Sequence, residues 1–262
     1  MSVLTGSIGF SVLNSPNSGL PDEYTGIYRV SDRVIGDDTI TVTYPAFPSI
    51  SDPYITRSAS DVTVEIDKQL YLQESNTDEE FYPQLQRVTG STWIDSLRDQ
   101  LVPEDTVNEI SSVARFVQQF EYEEDIESTG VVDYTRHPVE LIVDGVGDCD
   151  CRTTFLYSML DSLGYTAGFV FLPYHVGVIV PSAELTEKEH SLTTAEGKLT
   201  LDGVEYTYIE PNEIVHPGRH SIDKENIIIY ETVDTRLSVV NPAKVTDQIE
   251  KSFSEFRDAY GL

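Results

Sequence analysis

The order of the secondary-structure signals predicts an α+β fold. Helical patterns cluster between residues 106 and 163, and short alternating segments typical of strands follow them as far as residue 231. Helices and strands do not alternate regularly, which argues against a parallel, doubly wound sheet. The sequence therefore predicts a helix packed against an antiparallel sheet, with further short strands in the N-terminal third.

Composition limits the classes of function. The chain has 262 residues, 45 acidic and 17 basic, for a formal net charge of −28, and only six of the bases are lysine. An anionic surface dispersed along the chain keeps a protein soluble in molar salt, where screening weakens self-repulsion. We interpret the chain as a halophile's protein. Nucleic-acid binding is excluded because phosphate contacts need clustered Lys and Arg.

No segment is typical of a membrane span or a signal peptide. The longest apolar runs, residues 169–172 and 176–180, are far shorter than the roughly 20 residues that a spanning helix needs. The first six residues have neither a basic region nor a sustained apolar one. These observations predict a cytoplasmic protein in a high-salt cytosol. A disulfide scaffold is excluded because the two cysteines, Cys149 and Cys151, are one residue apart.

The first third of the chain predicts strands among loops. Residues 1–24 are rich in Ser, Gly, Asn and Pro and predict a loosely structured lead-in. Alternating apolar and polar positions predict strands at residues 25–30, 39–44 and 61–66. Weaker helical patterns cover residues 78–89 and 92–102. We assign residues 1–103 to an N-terminal extension that packs on the core.

A stronger helical signal begins at Thr106. Thr106-x-x-Glu109 has the form of a capping box. The apolar positions that follow fall on one helix face: Val107, Ile110, Val113, Phe116, Val117 and Phe120. After an acidic loop at residues 121–129, Pro138 opens a short segment and Gly145 ends it, in the usual Pro-first and Gly-last order of helices.

The next helix begins at the two cysteines. Residues 145–151 form a Gly-rich turn, and the apolar positions that follow have helical spacing up to Gly164. A thiol on the first turn faces unpaired backbone N–H groups and the positive end of the helix dipole. Both should lower the pKa of the Cys149 thiol and make it a nucleophile. Asp148 is the expected helix cap.

Four strands are predicted after this helix, at residues 165–172, 175–180, 204–210 and 226–231. A polar segment at residues 182–198 separates the second strand from the third. If His175 begins a strand and Glu210 ends its antiparallel neighbour, the two side chains lie at the same end of the sheet. A C-terminal helix follows in residues 233–262, with Asn241 as its cap and Pro242 at its first position.

Five short segments, in this order, carry a family resemblance: Arg136-His137-Pro138-Val139-Glu140-Leu141, Gly145-Val146-Gly147-Asp148-Cys149-Asp150, Leu160-Asp161-Ser162-Leu163-Gly164-Tyr165, Tyr174-His175-Val176-Gly177-Val178 and Tyr206-Thr207-Tyr208-Ile209-Glu210-Pro211. Their order and spacing resemble the transglutaminase-like cysteine-peptidase superfamily, especially its prokaryotic and archaeal members. The match spans roughly residues 106–215. It departs from the family pattern at Cys151, where an acid is usual, and at Glu210, where Asp is commoner.

The resemblance implies a papain/transglutaminase-like catalytic core at residues 104–232 and a Cys–His–Glu triad. It makes Cys149 the nucleophile, His175 the general base and later acid, and Glu210 the residue that orients the imidazole. The backbone N–H of Cys149 would be an oxyanion donor. The implied activity is cysteine-dependent acyl transfer from a peptide or protein amide, a peptidase or amidase before a transglutaminase. No cofactor is implied.

The remaining candidates have less distinct roles. Trp93 and Tyr174 are the side chains proposed for a second oxyanion donor. Cys151 is interpreted as a packed or partly exposed bystander, with a redox or metal-binding role as the lesser alternative, and Glu140 as a structural carboxylate. The other histidines are interpreted as loop or surface residues: His137, His190, His216 and His220.

Two other interpretations stay open. Cys149 and Cys151 could bind zinc or copper together with His175 or His137, although Cys-x-Cys lacks the two-residue gap of structural zinc sites. The same fold could also serve as a catalytically inactive peptide-binding module. Bound metal in the purified protein would favour the first, and equal, slow alkylation of both thiols would favour the second.

Overall fold

The computed structural model describes residues 32–45, 61–75, 91–103, 106, 108–130, 134–172, 175–222, 229–232 and 235–239. The helices there are α1 (Lys68–Glu74), α2 (Thr92–Leu101), α3 (Glu109–Val117), α4 (Asp125–Ser128), α5 (Pro138–Asp144), α6 (Cys149–Ser162) and α7 (Glu187–Leu192), with a 3₁₀ helix at Ser182–Glu184. The strands are β1 (Asp32–Ile35), β2 (Thr39–Pro45), β3 (Asp61–Asp67), β4 (Gly168–Leu172), β5 (His175–Pro181), β6 (Lys198–Leu201), β7 (Val204–Ile209), β8 (Ile229–Thr232) and β9 (Thr235–Val239). The predicted α+β class is confirmed.

The strands form two antiparallel sheets. The smaller has the order β1-β2-β3, and the larger has the order β6-β7-β5-β4-β8-β9. In the larger sheet Val178 of β5 is opposite Ile209 of β7. Continuing that register by one residue places Glu210 opposite Gly177, so the side chains of Glu210 and His175 share one face at one end of the sheet.

The two faces of the larger sheet pack into separate cores. Val178, Val180 and Ile209 belong to the main core, which also contains the apolar sides of α2, α3, α5 and α6. On the other face, Ile179 and Tyr208 are buried in a smaller cluster. The alternation of side chains along β5 produces this division.

The described part of the N-terminal extension shares the main core. The inward-facing side chains of β2 and β3 are buried in it: Ile40, Val42, Tyr44, Val62, Val64 and Ile66. The Tyr44 hydroxyl donates to the Ile142 carbonyl at 2.8 Å, and Arg33 Nη1 donates to the Val143 carbonyl at 3.2 Å. Strands β2 and β3 therefore pack directly on the helices that precede Cys149.

Helix α5 begins and ends where the local sequence predicts. Pro138 is the first residue of α5, and Gly145 ends it in the left-handed conformation, with φ +79°. His137 is the N-cap: its Nδ1 accepts from the Val139 amide at 3.2 Å, and its own amide donates to Glu140 at 2.8 Å. The interpretation of Glu140 as structural is thus confirmed, and His137 is a buried residue of the loop that precedes α5.

The capping box predicted at Thr106 does not form. Helix α3 begins at Glu109, with Asn108 in the N-cap position and no capping side chain of its own. The first amides of α3, from Ile110 and Ser111, instead donate to the buried Glu189 carboxylate at 3.0 and 3.3 Å. A distant residue on α7 therefore stabilises the start of this helix.

Other predicted elements differ in extent or lie elsewhere in the chain. The acidic loop contains α4, and the polar segment after β5 contains α7 and the 3₁₀ helix. The unpredicted strand β9 pairs with β8 beyond the predicted boundary at residue 232. The predicted strand at residues 25–30, the helix at 78–89 and the C-terminal helix with Asn241 and Pro242 lie outside the described residues. None of the helices in the described ranges is long and apolar enough to cross a membrane.

Candidate active site

Cys149 is the first residue of α6. The turn that precedes it is held by the segment after α3: the Glu121 amide donates to the Gly145 carbonyl at 3.1 Å, and the Gly147 amide donates to the Glu121 carbonyl at 3.0 Å. Gly147 has no room for a side chain, because a Cβ there would lie 2.9 Å from Cβ of Cys151. The Gly-rich turn therefore fixes the start of α6 against the segment that follows α3.

Asp148 occupies the N-cap position of α6, but its side chain makes no capping hydrogen bond. The Asp150 carboxylate takes that role for one amide, since its Oδ1 accepts from the Cys151 amide at 2.6 Å. Its Oδ2 accepts from the Thr135 hydroxyl. Asp148 is thus the N-cap residue, as predicted, but the carboxylate of the next acid along the chain takes the amide.

The electrostatic surroundings of Cys149 oppose the thiolate. Burial, followed by the Asp148 and Asp150 carboxylates, raises the pKa of the Cys149 thiol well above its usual value. The charge of Glu210 acts in the same direction, and only the Val176 amide acts against them. The pKa of the Cys149 thiol is therefore raised by burial and acidic neighbours, and the expectation of a pKa lowered at the helix N-terminus is wrong.

His175 and Glu210 are directly hydrogen-bonded. Nε2 of His175 donates to Oε2 of Glu210 at 2.9 Å, and Tyr208 donates its hydroxyl to the same oxygen at 2.8 Å. The Tyr208 oxygen also lies 3.0 Å from Nε2 of His175. With its proton on Nε2, a neutral His175 has Nδ1 as its basic nitrogen.

Glu210 is a buried carboxylate with several partners. It is 3% exposed, and its second oxygen accepts from the Asn212 amide at 2.8 Å. Burial alone would raise the pKa of Glu210, but His175, His220 and the Asn212 amide together lower it. Glu210 is therefore an ionised hydrogen-bond acceptor at neutral pH, as an imidazole-orienting residue must be.

Val176 links α6 to β5, the strand that carries His175. Its carbonyl accepts a hydrogen bond from the buried Thr153 hydroxyl, in the second turn of α6, at 3.0 Å. Its amide lies close enough to the Cys149 sulfur to lower the pKa of that thiol. The thiol therefore lies against the peptide unit that follows His175.

Arg152 is a component of the site that the sequence analysis did not identify. Its guanidinium is fully buried, donates to the carbonyls of Phe120 and Asn212, and lies 5.4 Å from the ring centre of Tyr122. Burial lowers its pKa to about 10, so it is charged at neutral pH. The signal available was periodicity, since Arg152 shares a helix face with the buried Leu156.

Cys151 is a fully buried thiol, as interpreted from the sequence. Its sulfur accepts from the Arg136 amide at 3.2 Å and lies 3.8 Å from the Tyr134 carbonyl. Burial raises its pKa well above the usual value. Both cysteines are free thiols.

The metal set proposed from the sequence does not assemble in the described residues. The group there whose ligand atoms lie within 4.8 Å of one another is Asp125, Asp148 and Cys151, without either predicted histidine. The Arg136 guanidinium lies at the edge of this group, with Nη1 3.7 Å from an Asp125 oxygen. His137 caps α5 instead.

The remaining candidates have varied positions. Trp93 is buried against Phe155, with ring centres 6.1 Å apart, and Tyr174 lies outside the described residues. His190 is exposed at the end of α7, as expected. His216 and His220 lie in the loop after β7, in agreement with their interpretation as loop or surface residues; His216 is buried and His220 is partly buried beside Glu213.

Comparisons with known proteins give only a distant structural similarity. No family model and no curated protein matches the chain. The chain is similar to LapG of Legionella pneumophila, with 14% identity and a TM-score of 0.35 over 70% of this chain and 93% of that one. The calcium-bound form has 14% identity and a TM-score of 0.34 over 71% and 98% of the chains, and the EGTA-treated form 13% and 0.33 over 70% and 96%. Scores this low do not establish a shared family.

Proposed function

We propose that the protein is a cysteine-dependent acyl-transfer enzyme that acts on peptide or protein amides. Cys149 is the nucleophile, His175 the general base and acid, and Glu210 the residue that orients the imidazole. The observation that carries this proposal is the 2.9 Å hydrogen bond from His175 to the buried, ionised Glu210, beside a thiol at the start of a helix. Residues 104–232 would be the transglutaminase-like catalytic core.

The reaction runs through a thioester. As the Cys149 sulfur attacks the amide carbon, Nδ1 of His175 takes the thiol proton, and the carbonyl oxygen becomes an oxyanion near the Cys149 amide. The imidazolium then gives its proton to the departing amine as the C–N bond breaks. Water or a second amine attacks the thioester, His175 removes the acceptor's proton, and the thiol is released with an acid or a new amide.

The raised pKa of Cys149 specifies how His175 contributes. A preformed thiolate is disfavoured by burial and by the neighbouring acids, so the proton must move to His175 during attack. Glu210 stabilises the imidazolium that results. The reactivity of Cys149 should therefore depend almost wholly on His175.

The test is the rate of iodoacetamide labelling of each cysteine against pH in molar KCl, with the modified residue identified by mass spectrometry. We expect a His175-dependent limb of Cys149 labelling, in which the imidazole takes the thiol proton during attack although the pKa of the thiol itself is raised. That limb of the profile should fall by about 100-fold or more in His175→Ala. His190→Ala, at an exposed histidine, is the matched control and should leave the profile unchanged.

A labelling profile in which Cys149 shows no dependence on His175 would contradict the proposal. If both thiols react equally and slowly, or if only Cys151 reacts, then His175 does not activate Cys149. If the His175-dependent limb is present, a peptide and amine screen with Cys149→Ser as the negative control then separates hydrolysis from transfer.

The second candidate function is a catalytically inactive peptide-binding module of the same fold. The observation that favours it is the raised pKa of Cys149, which leaves the resting thiol protonated. The labelling profile distinguishes the two functions, because an inactive module has no His175-dependent limb.

A further inference from the structure

The loop that follows β7 holds His220 in a fixed position. The Gly218 amide donates to the Tyr208 carbonyl at 2.7 Å, and a Cβ at Gly197 would overlap the Gly218 carbonyl. The two backbone segments therefore meet with no side chain between them. Ile222, two residues beyond His220, is buried in the same cluster as Tyr208. The loop is thus anchored on both sides of His220.

Each ring nitrogen of His220 lies near a carboxylate. Nδ1 is 3.2 Å from Oε2 of Glu213, and Nε2 is 3.9 Å from Oε2 of Glu210. An ionised carboxylate only accepts hydrogen bonds, whereas a neutral imidazole has a single N–H. The arrangement therefore suits the imidazolium form, which has an N–H on each side. Glu210 then lies between two histidines, His175 and His220.

We propose that His220 is a positioning residue of this site: as an imidazolium held by Glu213, it holds Glu210 in place beside His175 and adds a positive charge to the site. The inference rests on the proposed function, and it adds a group that sets the pH dependence of the site. His220 acts through Glu210 and touches no reacting atom.

The charges around His220 support this role. The groups that face it are Glu210, Glu213 and the ring of Tyr208, whose centre is 5.8 Å away. Burial would lower the pKa of His220, but the hydrogen bond to Glu213 and the charges of both glutamates raise it. Tyr208 stays neutral, because burial and Glu210 raise its pKa well above the usual value. The charge of His220 in turn helps to lower the pKa of Glu210.

Removal of the positive charge of His220 should shift the pH dependence of Cys149 labelling in one direction. Glu210 stays ionised through His175 and the Asn212 amide, so loss of the His220 charge makes the potential at the site more negative and Cys149 keeps its proton to higher pH. The His175-dependent limb of Cys149 labelling should therefore move to higher pH. The expected shift is from a few tenths to about one pH unit, because a buried pair is only partly screened by salt.

The experiment compares the labelling profiles of wild type, His220→Gln and His220→Lys in the full chain. His220→Gln keeps a polar side chain but no charge, and should shift the limb upward. His220→Lys keeps a positive charge, and its limb should stay close to that of wild type. His190→Gln is the control at an exposed histidine. Thermal unfolding of each variant shows whether it is folded.

The outcomes separate the two proposals. An unshifted limb in His220→Gln, or equal shifts in the Gln and Lys variants, overturns the role of the His220 charge and leaves the proposed function intact. Absence of any His175-dependent limb in wild type overturns the proposed function, and with it the premise for His220.

A second measurement keeps the inference testable if a variant does not fold. In ¹⁵N-histidine NMR of the wild-type protein, the ring signals of His220 should titrate above the ordinary imidazole pKa of about 6.5. Glu213→Gln should lower that titration midpoint, because it removes the carboxylate charge at Nδ1. A His220 that titrates at or below the ordinary imidazole pKa contradicts the proposal.

Discussion

Gly177 leaves the space that the ring of Tyr208 fills. A Cβ at position 177 would lie 2.7 Å from Cζ of Tyr208 and closer still to its hydroxyl oxygen. That hydroxyl donates to Glu210 and lies beside Nε2 of His175. The glycine two residues after His175 is therefore what allows a tyrosine from the neighbouring strand to join the histidine–carboxylate pair.

Gly177→Ala should displace the Tyr208 ring. Forcing a methyl group into a filled core costs about 1–3 kcal/mol, which should appear as a lower urea midpoint of unfolding. Labelling of Cys149 should also slow. The control is a double-mutant cycle with Tyr208→Ala, which removes the ring that the new methyl group meets. The two effects should be less than additive. Strict additivity would show that the two residues do not compete for space.

Tyr208→Phe should leave the ring in place and remove one hydrogen bond to Glu210. Loss of a hydrogen bond to a charged group costs about 1.5–3 kcal/mol, so both unfolding stability and the rate of Cys149 labelling should fall. Tyr206→Phe, on the same face of the same strand, is the matched control. Equal effects of the two substitutions would contradict a specific role for the Tyr208 hydroxyl.

Asp150→Asn should lower the pKa of Cys149. The Asp150 carboxylate is one of the charges that raise this pKa, and its removal favours proton loss from the thiol. The midpoint of Cys149 labelling should move to lower pH by about half to one unit. Asp161→Asn, near the other end of α6, is the control. An upward shift in Asp150→Asn would mean that lost hydrogen bonds from Thr135 and the Cys151 amide outweigh the charge.

Arg152→Met should destabilise the protein because it leaves two carbonyls without their hydrogen-bond donor. The buried guanidinium bonds the segments on either side of Cys149, at Phe120 and Asn212. Leaving two buried acceptors without donors should cost about 2–4 kcal/mol. Arg152→Lys should rescue little, because one ammonium group cannot reproduce the planar fork of a guanidinium. Full rescue by lysine, measured by urea unfolding, would show that charge alone matters.

Added KCl should stabilise the fold. With a formal net charge of −28, self-repulsion favours the unfolded chain at low salt and weakens as screening increases. Thermal unfolding should therefore shift to higher temperature between dilute buffer and molar KCl. Retention of the fold and of solubility in dilute buffer, with no such shift, would contradict the halophilic interpretation.

Local sequence chemistry correctly predicted the elements that carry the candidate triad. Pro138 and Gly145 bound α5, and the Gly-rich turn before Cys149 starts α6, because these residues act through their own backbone conformation. The alternating pattern also placed His175 at the start of β5 and Glu210 directly after β7. Such features need no knowledge of distant contacts, so a single sequence is enough to predict them.

Tertiary contacts decided the features that the sequence analysis predicted wrongly. Helix α3 starts at Glu109 because Glu189, far away in the chain, accepts its first amides. The pKa of Cys149 is raised chiefly because folding buries the thiol, and its sequence neighbours Asp148 and Asp150 add to this effect. Local motifs carry no information on the burial of the thiol or on the contact with Glu189.

The sequence by itself thus determined the fold class and, through the order of five short segments that carry a family resemblance, predicted the three residues of the candidate triad. Only the tertiary structure brought Tyr208, Arg152 and His220 around them, because the burial and charge of a side chain depend on which distant segments meet it. Their positions rest on close approaches such as Gly177 to Tyr208, and these exist only once the strands and loops have packed.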